Sequence, residues 1–182
     1  MIYRFLILSD EVDEFKREIQ ISSVATFLDL HKAILDATGF GEDEICSFFT
    51  CDEDWNKKAE ITLIDMGASS EVDTFVMENT LLEELLEDEH QKLLYVFDYM
   101  MERAFFMELS EIIPGQNLDK AVCTMSTGLP PVRNISPEEM EKRLENSNID
   151  EEFYGDSEYN DDELDELGYN DSSEEYFDDE RY

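Results

Sequence analysis

Leu93-Leu94-Tyr95-Val96-Phe97-Asp98-Tyr99 is the strongest strand signal in the chain. Aromatic and branched apolar types fill it, as a pleated, buried surface favours. A second apolar segment, Ala104 to Ile113, follows closely and ends at Pro114-Gly115. Met and Ala within this pair favour helix, but Tyr, Val, Phe and Ile dominate. We therefore read the two segments as a β-hairpin.

Working outward, Ile2 to Leu8 is a run of apolar and aromatic residues and reads as a buried strand. After the polar turn Ser9 to Glu14, Phe15, Arg17, Ile19 and Ile21 alternate with polar partners, which gives a second strand antiparallel to the first. Thr26 with Asp29 forms a short capping box. Phe27, Leu30, Ile34 and Ala37 then share one helical face, and Gly39 supplies the stop. Ile45 to Cys51 suits a further strand, Glu60 to Ile64 a shorter one, and residues 65–79 read as loop. Thr80-Leu81-Leu82-Glu83 reads as a second capping box opening a helix through Leu86. Thr127 to Pro131 reads as a loop or extended arm, and Ser136-Pro137-Glu138-Glu139 as the start of a helix to about Asn146. The expectation is an α+β domain of β-hairpin–helix–mixed-sheet order, β-grasp-like, over residues 1–131. A linker and short helix at 132–148 and a disordered acidic tail at 149–182 follow.

The 182 residues suffice for one domain and a tail, and 42% hydrophobic content suffices for a core. Thirteen Lys and Arg stand against 48 Asp and Glu, a formal charge of −35. Such a balance excludes unaided nucleic-acid binding, which needs clustered cations against phosphate, and argues against anionic membranes. The charge is unevenly placed. Pro137 to Tyr182 holds 20 acids and 3 bases, or −17 over 46 residues, whereas residues 1–136 carry −18. Three cysteines, Cys46, Cys51 and Cys123, and a short N-terminal apolar run point to reduced thiols in a soluble cytoplasmic protein.

The order of these blocks resembles the plasmid pRiA4b ORF-three-like family, small α+β proteins found widely in bacteria and archaea. Tyr3-Arg4-Phe5 with Phe15-Lys16-Arg17-Glu18-Ile19 is similar to the family's opening strand pair. Thr26 to Ile34, then Gly39-Phe40 and Ile45 to Phe48, resembles its leucine-histidine helix and following aromatic strand. Leu94 to Tyr99 is close to its tyrosine-x-tyrosine-aspartate-phenylalanine strand. The resemblance covers roughly residues 1–131, with an echo of the family's cysteine-to-proline-pair ending at Cys123 and Pro130-Pro131. One departure stands out: the family continues its third block with glycine-aspartate-glycine-tryptophan-glutamate-histidine, where this chain has Met100 to Phe105. The family has no established activity, so the resemblance implies a fold more than a function.

Few residues suggest chemistry. His31 with Cys46 or Cys51 is a candidate metal or proton-carrying group, read instead as a polar residue at the edge of a packed face. The two cysteines are too far apart for a zinc knuckle and point to opposite faces of a strand. Asp98 interrupts an apolar strand and reads as structural, serving the adjoining turn or pairing with Arg103 or Arg17. No phosphate loop, serine elbow or zinc motif is present. Met100, Met101 and Met107 with Phe105 and Phe106 read as core rather than docking surface. We expect no catalytic residue, no metal and no cofactor.

The tail carries the interaction expectation. Phe153, Tyr154, Tyr159, Tyr169, Tyr176, Phe177 and Tyr182 are spaced among carboxylates, which suits a linear motif for a basic protein surface. Tyr154, Tyr159, Tyr169, Tyr176, Phe177 and Tyr182 are the candidate partner-binding residues. The expected function is a non-catalytic protein-interaction module, without direct nucleic-acid or membrane contact. A metal-dependent or hydrolytic enzyme using His31, Asp98 and a cysteine is the first alternative. An indirect DNA-associated or mobile-element-linked regulator is the second.

Overall fold

In the computed structural model the described residues are 1–42, 44–65 and 73–134. Ile2–Ser9 (β1) and Lys16–Ser22 (β2) form the expected antiparallel hairpin, with Tyr3 opposite Ile21 and Phe5 opposite Ile19. These inward pairs are all buried, so the period of two places one complete face in the core.

Phe27–Thr38 (α1) follows. The Thr26 hydroxyl accepts the Asp29 N–H at 3.2 Å, and the Asp29 carboxylate accepts the Thr26 N–H at 3.0 Å. This reciprocal capping box fixes the helix start. Gly39, at φ 72°, ends it in the left-handed region, where a Cβ is costly. Phe27, Leu30, Ile34 and Leu35 are buried, each side chain contributing about 1.5–3 kcal/mol of apolar burial.

Ser47–Cys51 (β3) starts two residues later than expected, and Lys57–Thr62 (β4) starts three earlier and ends two earlier. Thr74–Val76 (β5) is a strand inside what reads as loop, running parallel to β4. The second helix, Leu82–Leu85 (α2), has its N-cap at Leu81, one residue beyond the expected Thr80. The Thr80 hydroxyl donates back to the Val76 carbonyl at 2.8 Å, while the Glu84 carboxylate accepts the Leu81 N–H at 2.8 Å. Thr80 is thus turned away from the helix, and Glu84 caps it.

Lys92–Asp98 (β6) and Arg103–Ile113 (β7) form the hairpin read from the opening heptad, with Tyr95 opposite Phe105 and Leu93 opposite Met107. Val122–Thr127 (β8), a stretch to which the sequence assigns no element before Thr127, is an edge strand antiparallel to β2. Among the described residues one mixed sheet of eight strands results, in the order β5-β4-β3-β6-β7-β1-β2-β8. The chain is therefore α+β and sheet-dominated.

The large core, with Tyr3, Phe5, Phe48, Tyr95 and Phe105 at its centre, takes in α1 and one face of the sheet. A smaller apolar cluster, Phe49, Leu94, Val96 and Ala104, carries Trp55 and Phe106 against it. Met107 and Phe105 are core, as expected, whereas Met100 is 85% exposed. No helix among the described residues is long and apolar enough to cross a membrane. The chain divides into the units Met1–Asn134 and Ile135–Tyr182. The helix expected from Ser136, the tail, and Tyr154, Tyr159, Tyr169, Tyr176, Phe177 and Tyr182 lie outside the described residues.

Candidate functional site

His31 comes from the middle of α1, Tyr95 from the centre of β6, and Cys46 from the residue before β3. The helical period turns His31 inward beside Leu30 and Ile34. Tyr95 is inward because alternate residues of β6 face the helix. His31 Nδ1 and the Tyr95 hydroxyl are 2.8 Å apart, and their rings are 5.8 Å apart at the centroids. Cys46 faces the same hydroxyl. Its sulfur accepts a hydrogen bond from Arg133 Nη2 at 3.5 Å, and its S–H donates to the Glu44 carbonyl at 3.6 Å. Arg133 Nε is 3.1 Å from the Glu44 carboxylate. Its Nη1 is buried with no acceptor among the described residues.

Burial decides the charge states. His31 is pushed down to about 4 by desolvation first and then by the positive charges of Arg133 and Lys32, so the ring is neutral at pH 7. Tyr95 is raised far above the ordinary phenol range by its burial, then by Cys46, and stays protonated. Arg133 is pulled down by desolvation, but its hydrogen bond and charge interaction with Cys46, with Glu44 and Tyr95, leave it raised overall. The result is an Arg133–Glu44 ion pair beside a neutral imidazole and a protonated phenol. Tyr95, Cys46 and His31 are all at most 4% exposed, so no substrate reaches them in this conformation.

The remaining candidates go elsewhere. Cys51 packs with the smaller cluster while Cys46 belongs to the large core, on opposite faces as the odd spacing requires. Asp98 closes the β6–β7 turn: one carboxylate oxygen accepts the Met100 and Met101 N–H groups at 3.0 and 3.1 Å. The other is 3.7 Å from Arg103 Nη1. Asp98 thus pairs with Arg103 and not with Arg17. This turn is also where the chain departs from the family pattern, and Glu102 there takes φ 52° where a glycine is easier. Among the described residues no three His, Cys, Asp or Glu side chains converge to hold a metal.

Two features escaped the sequence reading. Arg133 joins Cys46 across 87 positions, a separation with no local signal. A cleft of about 310 Å³ lies between α1 and residues 118–121, with Asp29, Lys32, Asp36 and Lys120 on its walls. Asp29 is already committed to the helix cap.

No curated protein matches the chain in sequence. In three dimensions it is similar to a crystal structure of a protein of unknown function from Methanosarcina mazei Go1. The TM-score is 0.61 at 21% identity, over 97% of this chain and 93% of that one. At that identity the likeness is one of fold. The model of the plasmid pRiA4b ORF-3-like protein family matches residues 2–178, running well past residue 131. The chain belongs to that family.

Proposed function

We propose that the protein is a non-catalytic interaction module whose C-terminal acidic stretch binds a basic surface on a protein partner in the cytoplasm. The observation that carries this reading is the charge division: −17 in the 46 residues from Pro137, interleaved with Tyr154, Tyr159, Tyr169, Tyr176, Phe177 and Tyr182. Carboxylates keep such aromatics in water and steer them to a cationic surface. Apart from the tail, the titratable groups that first suggest chemistry have structural partners. His31 bonds Tyr95, and Asp98 holds a turn and Arg103. For the fold, the opening β1–β2–α1 order supports a β-grasp-like reading of that part alone.

The test compares the intact chain with one lacking residues 149–182 in a quantitative pull-down, read by mass spectrometry at two salt concentrations. The expected result is a basic partner retained only by the intact chain and released by salt. A shortened chain that keeps every partner overturns the proposal.

A further inference from the structure

Three arginines meet at one end of the sheet, in a protein with few cations. Arg17, on β2, donates to the Ala37 carbonyl at the end of α1 at 2.9 Å, and to the carbonyls of Thr127 and Gly128 at 2.6 and 3.1 Å. Arg103, on β7, donates to the carbonyls of Arg133 and Val132 at 2.8 and 2.5 Å and is held by the Glu11 carboxylate at 2.7 Å. Arg133 sends its own side chain inward to Glu44 and Cys46. The three guanidiniums cap an aromatic floor: Arg17 lies 4.5 Å from the Phe15 ring centre, Arg103 5.0 Å from Phe97, and Arg133 4.8 Å from Phe40.

The segment they hold, Gly128–Asn134, is attached differently from everything around it. Among the described residues no main-chain hydrogen bond joins residues 129–134 to the rest. Leu129 and Val132 are 81% and 66% exposed. Arg103 on the Val132 and Arg133 carbonyls, the buried Pro131, and the Arg133 guanidinium against Glu44, Cys46 and Phe40 are what fasten it. Segments with few buried apolar contacts open locally, well below the free energy of global unfolding. The neighbouring sheet is paired strand to strand over a continuous core. At the start of the segment Gly128 has φ 67°, and a Cβ there falls 2.5 Å from the Glu14 carbonyl oxygen. Glycine alone permits that approach.

We propose that Gly128–Asn134 is a latch, hinged at Gly128 where Arg17 holds it and closed by Arg103 and Arg133, that lifts from the folded sheet as a unit and uncovers the Phe40–Phe97 end of the core. The proposal is independent of the interaction reading, because it concerns residues before the acidic stretch. Cys46 lies under the Arg133 end of the latch and reports its opening. In the full-length chain carrying Cys51→Ser and Cys123→Ser, Cys46 is the single thiol. Iodoacetamide then forms a thioether at its sulfur and releases iodide, and the labelling rate follows the population of the open state.

The expected result is Cys46 labelling in native buffer at a rate that changes little with urea below the unfolding midpoint, because a latch exposes little surface. Gly128→Ala is expected to raise that rate at least tenfold while the circular dichroism of the sheet is unchanged. Labelling with the urea dependence of global unfolding overturns the proposal, as does a folded Gly128→Ala chain with an unchanged rate. Where Gly128→Ala does not fold, the urea dependence of the parent decides alone.

Discussion

The Tyr95 hydroxyl and His31 Nδ1 are 2.8 Å apart in the middle of the core, and the imidazole is neutral because burial and then Arg133 and Lys32 push it down to about 4. An unfolded histidine titrates near 6.5. Between those two values the unfolded chain binds a proton that the folded chain refuses, so stability rises with pH across that window. The contribution is complete above pH 6.5 and lost as pH falls toward 4. Lys32 is exposed and screened, so we expect about 2 kcal/mol rather than the full value of the shift. His90 has the opposite sign. Its hydrogen bond to Glu108 and then that charge raise it, so its contribution is present below pH 6.5 and fades as pH rises through the raised value. Urea unfolding of the parent and His31→Gln from pH 4.5 to 7.5 checks the first effect. The difference between the two should shrink as pH falls, and a constant difference defeats the assignment.

Tyr95→Phe removes one oxygen and leaves the ring contacts to Phe48 and Phe105, whose centroids lie 4.9 and 6.2 Å away. His31 then loses its hydroxyl partner inside the core. Stranding a buried polar group costs about 1–3 kcal/mol. A double-mutant cycle with His31→Leu measures the coupling. The double variant should be more stable than the two single losses sum to, because the apolar pair strands nothing.

The residues that made the core were legible because they fall in patterns: Ile19 and Ile21 alternate with polar neighbours, Leu30 and Ile34 repeat at helical spacing, and Tyr3, Phe5, Leu93 and Tyr95 stand in apolar runs of strand length. β8 broke that rule: all six of its residues are exposed, so it lacks the buried alternation that marks a strand and is held by edge pairing to β2 and by the side chains of Arg17 and Glu18. β5 is three residues long, below the length at which alternation can be read. His31 was visible as an oddity on an apolar face, but its partners were not. Tyr95 lies 64 positions away and reads as plain strand. Arg133 sits after a proline pair, in a stretch that reads only as linker. Leu81 rather than Thr80 takes the N-cap position of α2, its N–H accepted by the Glu84 carboxylate, while the Thr80 hydroxyl donates to the Val76 carbonyl.

Arg103 makes four side-chain hydrogen bonds, two to the Glu11 carboxylate and two to main-chain carbonyls, with its side chain 5% exposed. Arg103→Met keeps the stem against Phe97 and takes the guanidinium away from the Glu11 carboxylate, whose side chain is only 14% exposed. Breaking a buried pair in this way costs about 3–5 kcal/mol. Arg103→Lys should recover less than half of that, because one ammonium cannot span a carboxylate and two carbonyls at once. Thermal melts of both variants give the comparison, and a fully stable Lys variant contradicts the planar-fork account.

Asp98 separates a structural carboxylate from a chemical one. One of its oxygens holds the Met100 and Met101 N–H groups, and the other faces Arg103 at 3.7 Å. Asp98→Asn keeps an amide oxygen for the turn and gives up only a long ion pair, so it should cost under about 1 kcal/mol. Asp98→Ala abandons both N–H groups at a turn where Glu102 already sits at φ 52°, and should cost about 1–3 kcal/mol. Equilibrium unfolding of the two variants ranks them. A role in chemistry predicts something else: Asn as damaging as Ala in an activity assay, with both proteins equally stable. The turn geometry makes the stability ranking the expected result, because a carboxylate already accepting two N–H groups and facing a guanidinium has its oxygens committed.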